Sequence, residues 1–139
     1  MKSKINFYNK DVKLRLNNKT QLKNWIKDCA INESKTVGEI CVVFCSDEHI
    51  LEMNKEHLNH DYYTDIITFN YNAEDTISGD LFISIDTVKD NAKALNISFE
   101  KELFRVIIHG VLHLIGYNDK TRTQEKEIRK KEDFYLSKI

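Results

Sequence analysis

The sequence predicts an α+β fold: a small mixed sheet of about four strands packed with about five helices. Three observations carry this expectation. Helical and β-branched segments follow one another without strict alternation, which argues against a purely parallel α/β sheet. One helical segment is apolar nearly all round, as a central buried helix must be. The 139 residues include 4 Gly and no Pro, and they show no internal repeat, linker or composition break. A single domain over residues 1–139, long enough to bury a core without disulfides, is therefore expected.

The elements follow in order. Ile5 to Tyr8 is a short candidate strand. Asn17 or Asn18 can cap a helix whose Leu22, Trp25, Ile26 and Cys29 share one apolar face. Ile40 to Cys45 is an apolar, β-branched run that reads as a central strand. Ser46 caps the next helix, with Asp47 and Glu48 well placed in its positively polarised first turn and Ile50, Met53 and Leu58 as its apolar surface. Asp65 to Tyr71 and Asp80 to Ile85 are two further strands, joined by a hairpin loop from Asn72 to Gly79. Asp86 can cap a short helix ending near Leu95. Ser98 then caps the central helix, which runs to about Ile115 through Leu103, Phe104, Val106, Ile107, Ile108, Val111, Leu112 and Leu114. Thr121 with Gln124 forms a capping box for a last amphipathic helix.

Net charge is −1, so no whole-molecule field favours a polyanion. The distribution is uneven. Residues 1–27 carry eight Lys or Arg against Asp11 alone, Lys120 to Lys131 carry six against two Glu, and residues 32–102 carry five basic and fifteen acidic side chains. Each basic block reads as a solvated helix face or, if the fold joins the two, as a basic rim beside an acidic centre. Lys126, Arg129 and Lys130 are the candidate binding residues of that rim. Cys29, Cys41 and Cys45 are an odd number without a signal-like start, which predicts reduced thiols in a cytoplasmic protein; buried thiols and metal ligands are the two readings. The start lacks an apolar h-region and no run is long enough to span a bilayer, so neither secretion nor membrane insertion is expected.

The informative stretch is HGVLHLIGYND, from His109 to Asp119. His109 and His113 stand four residues apart on the central helix, so both imidazoles leave the same face. Two histidines can offer a zinc ion bonds of about 2.0–2.1 Å but cannot complete a tetrahedron. The chain must turn back, and Gly116 tolerates the left-handed backbone that ends a helix sharply. Asp119 then arrives as an oxygen ligand, leaving one position for water. The alternative is a structural His pair, but two imidazoles on so apolar a helix would need buried partners. Zinc suits two His and a carboxylate; Ni, Co, Mn and Fe(II) accept the same ligand types. The spacing matches the zinc-protease pattern HExxHxxGxxH, except that Gly110 stands where the general-base Glu would be, which argues against a peptidase of that type.

HGVLHLIGYND also resembles the signature H-G-x-L-H-L-x-G-Y-D-H of the YbeY family of bacterial endoribonucleases. Asn54, the stretch Thr64-Asp65-Ile66-Ile67-Thr68-Phe69, and Gly79-Asp80 resemble that family's N-x-x-[FY]-R, P-T-D-V-L-S-F and G-D-I blocks. The likeness runs from about Cys41 to Tyr135. It implies a zinc-dependent hydrolase that cleaves single-stranded RNA in maturation of the small-subunit rRNA 3′ end and in ribosome quality control, with the ribosomal subunit or its proteins as partners. His109 and His113 match two ligands, and the family's third His aligns with Asp119, whose charge should make the ion less electrophilic. The family's Arg falls at Leu58, its aromatic at His57, and its Pro at Tyr63. Losing that Arg removes the natural phosphate clamp. Arg105, one turn before His109, is either its substitute or half of a structural ion pair. Surface positions are expected for His57 and His60; for Asp65 and Asp80, each at a strand start, capping or turn hydrogen bonds and catalysis are equally open readings.

Two rivals stand beside the nuclease: a metal-dependent hydrolase of a peptide or small molecule, and a non-catalytic ribosome-associated module with a structural metal. An open coordination position favours an enzyme; a fourth protein ligand favours the structural metal.

Overall fold

In the computed structural model, residues 3–57 and 64–139 are described. They form β1 (Lys4–Asn9), α1 (Lys19–Asn32), β2 (Thr36–Cys45), α2 (Asp47–His57), β3 (Ile66–Asn70), β4 (Thr76–Ser84), α3 (Ile85–Leu95), α4 (Phe99–Ile115) and α5 (Arg122–Leu136). Leu58, His60, Tyr63 and the side chain of His57 lie outside the described residues. The sheet order is β1-β2-β4-β3, with β1, β2 and β4 parallel and β3 antiparallel to β4. This is the mixed α+β arrangement expected.

The alternation of β2 decides how the two sheet faces are covered. Ile40, Val42 and Phe44 face a core closed by α1, α4 and the buried residues Ile128 and Tyr135 of α5. Cys45 faces a smaller cluster with Ile50 and Met53 of α2 and Ile67 of β3. Cys29 and Cys45 are buried, and burial pushes both thiols up to about 12, so they are inert apolar groups. Cys41 is only half-buried.

Several caps form where the sequence places them. Ser98 accepts the Lys101 N–H at 3.1 Å, Ser46 accepts the His49 N–H at 3.2 Å, and Thr121 and Gln124 make the reciprocal capping box. Others differ. Asn18 occupies the N-cap of α1 without a side-chain bond. Ser84, not Asp86, caps α3, accepting the Thr87 N–H at 3.1 Å; the helix starts as soon as β4 ends, and Asp86 falls in its first turn. The predicted loop Asn72–Gly79 is shorter, because β4 begins at Thr76, where parallel pairing with Thr36 draws Thr76 to Gly79 into the sheet. Gly38 lies inside β2 at a register shift between Val37 and Ile40. There the Ser78 hydroxyl takes the Glu39 N–H at 3.1 Å, and a Cβ on Gly38 would collide with that same hydroxyl.

α4 is the pivot. It packs on α1, α3, α5, β3 and β4, burying Leu103, Val106, Ile107, Ile108, Val111, Leu112 and Leu114. Gly110 is what lets it lie close to the sheet: a Cβ there would sit 2.7 Å from Ile66 Cδ1 and 3.1 Å from both methyls of Leu81. α5 is tied back to α1, where Trp25 Nε1 donates to the Tyr135 carbonyl at 2.8 Å. Glu33, at the C-terminal end of α1, accepts from the hydroxyls of Tyr117 and Tyr135 and from Lys131.

Candidate metal centre

α4 carries His109 and His113 on the face it turns towards the gap between β3 and α5. The helix ends at Gly116, whose φ of 128° only glycine adopts comfortably and whose N–H reaches the carbonyls of Leu112 and His113. The reversed chain brings Asp119 back over the last turn. His109 Nε2 and His113 Nε2 stand 2.9 Å apart, and Asp119 Oδ2 lies 3.3 Å from each.

The second nitrogen of each ring fixes what the first can do. His113 Nδ1 is 2.9 Å from the Tyr117 carbonyl, which can only accept, so Nδ1 carries the proton. His109 Nδ1 is 2.5 Å from Glu132 Oε2. Burial would raise the Glu132 carboxyl, but its bonds to His109 and Arg105 outweigh burial and hold it below its usual value, ionised and accepting. In the neutral imidazoles both Nε2 atoms therefore present lone pairs, and they converge with a carboxylate oxygen. Three acceptors facing one another repel unless a metal ion or a proton sits among them, and, against the cost of burial, Glu132, Asp65 and Asp119 around His109 raise its affinity for either.

The size of the triangle fits. With bonds of about 2.0–2.1 Å, tetrahedral zinc ligands stand roughly 3.3–3.4 Å apart, against edges of 2.9, 3.3 and 3.3 Å here. Among the described residues, the group that could hold an ion has these three members. Their side chains keep 18%, 24% and 43% exposure, so a fourth position would face solvent. Openness of this kind is what a catalytic ion needs and a structural one does not.

Two clefts meet over the triangle. One, of about 430 Å³, runs along β3 and is lined by Asn54, Thr64, Thr68 and Asn70. The other, of about 310 Å³, lies against α5 and is lined by Arg105, Glu125, Arg129 and Glu132. Asp65, His109 and Asp119 belong to both. A larger cleft of about 580 Å³ between α1 and α5 touches none of these groups.

Arg105 has its guanidinium bonded to Glu102 through Nε and Nη2, and to Glu132 through Nη1 at 3.2 Å. Glu102 and Glu132 are fully buried, so Arg105 is the counter-charge that allows both carboxylates inside. Of the two roles read from sequence, the geometry supports the ion pair. Lys126, Arg129 and Lys130 are all exposed on α5, and of the three Arg129 lines the second cleft.

One site residue was missed from sequence, Glu132; its signal was a carboxylate in the buried stripe Ile128, Glu132, Tyr135, at spacings of four and three. Asp65, open between capping and catalysis from sequence, lines both clefts beside the triangle. Burial raises its carboxyl, while His109 and Arg105 pull it the opposite way.

A family model described as Endoribonuclease YbeY matches residues 4–139. The Endoribonuclease YbeY of Porphyromonas gingivalis is 50% identical over 131 residues, 94% of this chain and 87% of the relative. That of Phocaeicola vulgatus is 53% identical over 116 residues, 84% of each chain. That of Cytophaga hutchinsonii is 46% identical over 134 residues, 96% of this chain and 94% of the relative. The solution structure of TM1509 from Thermotoga maritima superposes with a TM-score of 0.67 at 29% identity, over 96% of this chain and 87% of that one.

Proposed function

Because the chain belongs to the YbeY endoribonuclease family, we propose that it cleaves single-stranded ribosomal RNA at the 3′ end of the small-subunit rRNA and in ribosome quality control. It is a metal-dependent endoribonuclease. One observation carries the placement of its site: three acceptor atoms with fixed tautomers converge on the floor of an open cleft.

In this reading residues 1–139 act as one hydrolase domain, and His109, His113 and Asp119 hold one zinc ion. When bound, such an ion supplies Lewis acidity and an activated water. The chain's own residues do the rest. Glu132 fixes the ring of His109 and makes its free nitrogen more electron-rich. The Tyr117 carbonyl does the same for His113. Arg105 keeps Glu132 ionised where it is buried. Arg129, with Lys126 and Lys130 on the same exposed helix, attracts the RNA backbone. The ribosomal subunit or its proteins are the partners, in the cytoplasm. Among the described residues no helix is long and apolar enough to cross a membrane.

A nuclease assay on ribosomal RNA fragments tests this, comparing wild type with His109→Ala at matched metal concentration. The expected result is endonucleolytic cleavage by wild type, lost in the variant. Equal cleavage by both proteins would remove the site.

A further inference from the structure

β3 is an edge strand: β4 lies on one side, and no described residue forms a backbone bond on the other. Its register shows which groups face that free edge. Ser84 donates its N–H to the Asp65 carbonyl at 2.9 Å, and Tyr71 donates to the Ser78 carbonyl at 2.8 Å. Bonded and non-bonded pairs alternate in an antiparallel ladder, so residues 65, 67, 69 and 71 bond to β4. The N–H and C=O of Ile66, Thr68 and Asn70 therefore point away from it.

These three residues also line the cleft above His109, His113 and Asp119. The strand runs lengthwise past the triangle: Ile66 packs at Gly110, and Asn72 Nδ2, just beyond the strand, donates to the Leu114 carbonyl at 2.7 Å. Apart from Asp65, which both clefts share, the polar lining on this side, Asn54, Thr64, Thr68 and Asn70, is uncharged and offers no cation. It is unsuited to tracking phosphates, which the α5 side can do through Arg129. It suits base edges. Every nucleobase carries hydrogen-bonding groups on its Watson–Crick edge, and single-stranded RNA is read through such edges. Main-chain N–H and C=O pairs along the edge recur every two residues, about 6.6–6.8 Å.

We propose that the free edge of β3 is the base-reading wall of this active site, where unpaired bases of a single RNA strand bond to the main chain of Ile66, Thr68 and Asn70. The bonds hold the strand with a phosphate beside the His109, His113 and Asp119 triangle. Duplex RNA is excluded because its Watson–Crick edges are already paired. The preference for single strands thus comes from the backbone of one strand, and tolerance of base identity comes with it. This inference rests on the endoribonuclease reading.

The first test leaves the protein unaltered. Binding, by fluorescence anisotropy, and cleavage are compared for oligouridylate and for the same oligomer of N3-methyluridine, whose Watson–Crick edge is blocked. Blocking should weaken binding and slow cleavage at limiting substrate by about tenfold. Equal binding and cleavage would overturn the proposal. In the second test, Thr68→Pro removes one outward N–H without touching the ladder, whereas Thr68→Ala keeps it and isolates the share of the hydroxyl. The proline variant should raise KM for oligouridylate well beyond the alanine variant, with bound metal and melting temperature kept. Equal effects would overturn the proposal. A wild-type chain that cuts neither oligomer counts against the endoribonuclease reading, and the binding comparison still decides for or against the β3 edge.

Discussion

Two polar clusters lie at different places on this fold, and they satisfy themselves in opposite ways. Beyond the C-terminal ends of β1, β2 and β4, three carboxylates gather with two serines and a threonine. Asp11 accepts from the Ser46 N–H at 2.8 Å and from its hydroxyl, Asp47 accepts from the hydroxyls of Ser84 and Thr87, and Asp86 accepts from the Asp47 N–H at 3.0 Å. Each named oxygen there meets a donor from the protein. At the end of α4, two imidazole nitrogens and a carboxylate oxygen meet one another instead. The contrast separates structural polarity from a binding site better than residue type does. Three aspartates that cap loops and helix starts need no ion, whereas three acceptors without a donor do.

The sharpest way to break that contrast is to remove a ligand. His113→Ala should lower bound metal from about one ion per chain to near zero, read by elemental analysis of protein purified without added metal. A metal-free, fully folded wild type would dissolve the distinction altogether. Glu132→Ala comes next. It leaves Arg105 and His109 without their buried partner and should cost about 3–5 kcal/mol of stability, seen in chemical denaturation. The milder Glu132→Gln should weaken metal affinity about 10–100-fold by competition with a chelator. Asp47→Ala probes the other cluster. It should cost about 1–2 kcal/mol through the lost bonds to Ser84 and Thr87 while metal affinity stays at the wild-type value; a drop in affinity would show that the two clusters are coupled. The smallest effect concerns pH. The hydrogen bonds from Ser46 hold the Asp11 carboxyl below its ordinary value. Its contribution is therefore complete above the unfolded value of about 3.9 and fades as pH falls through the lower folded value. Asp11→Asn should flatten that part of the acid-unfolding curve, lowering stability slightly near neutral pH and leaving it little changed below the folded value.

The two clusters also differ in how far the sequence exposes them. His109, His113, Gly116 and Asp119 sit within eleven residues, so helical periodicity and one turn suffice to bring them together. The central helix was legible for the same reason: its burial is written in the spacing of its own apolar residues. Glu132 reaches His109 across 23 positions, and Asp65 reaches it from a different strand, so neither could be assigned before the packing of α5 and β3 was known. Asp86 was the cap the local sequence suggested, and the end of β4 gives that place to Ser84 instead. Thr76 to Gly79 read as loop because two polar side chains and a glycine conceal a parallel partner about forty residues earlier. Gly38 was opaque for a similar reason, since a bulge exists only relative to a neighbouring strand.

The bonds that dock α5 on α1 have a consequence in time. They join residues 84 to 110 positions apart: Tyr117, Lys131 and Tyr135 to Glu33, Tyr135 to Asn32, and Trp25 to the carbonyl of Tyr135. Closing loops of that length is slow compared with forming a helix. Glu132 lies on the same segment, so the bond that orients His109, 23 positions away, is held firmly once that late closure ties α5 down. The chain's single tryptophan stands at the joint. Its fluorescence during refolding therefore gives a clock for maturation of the centre, and tight metal capture should appear in step with that signal, not with the earlier rise in helicity.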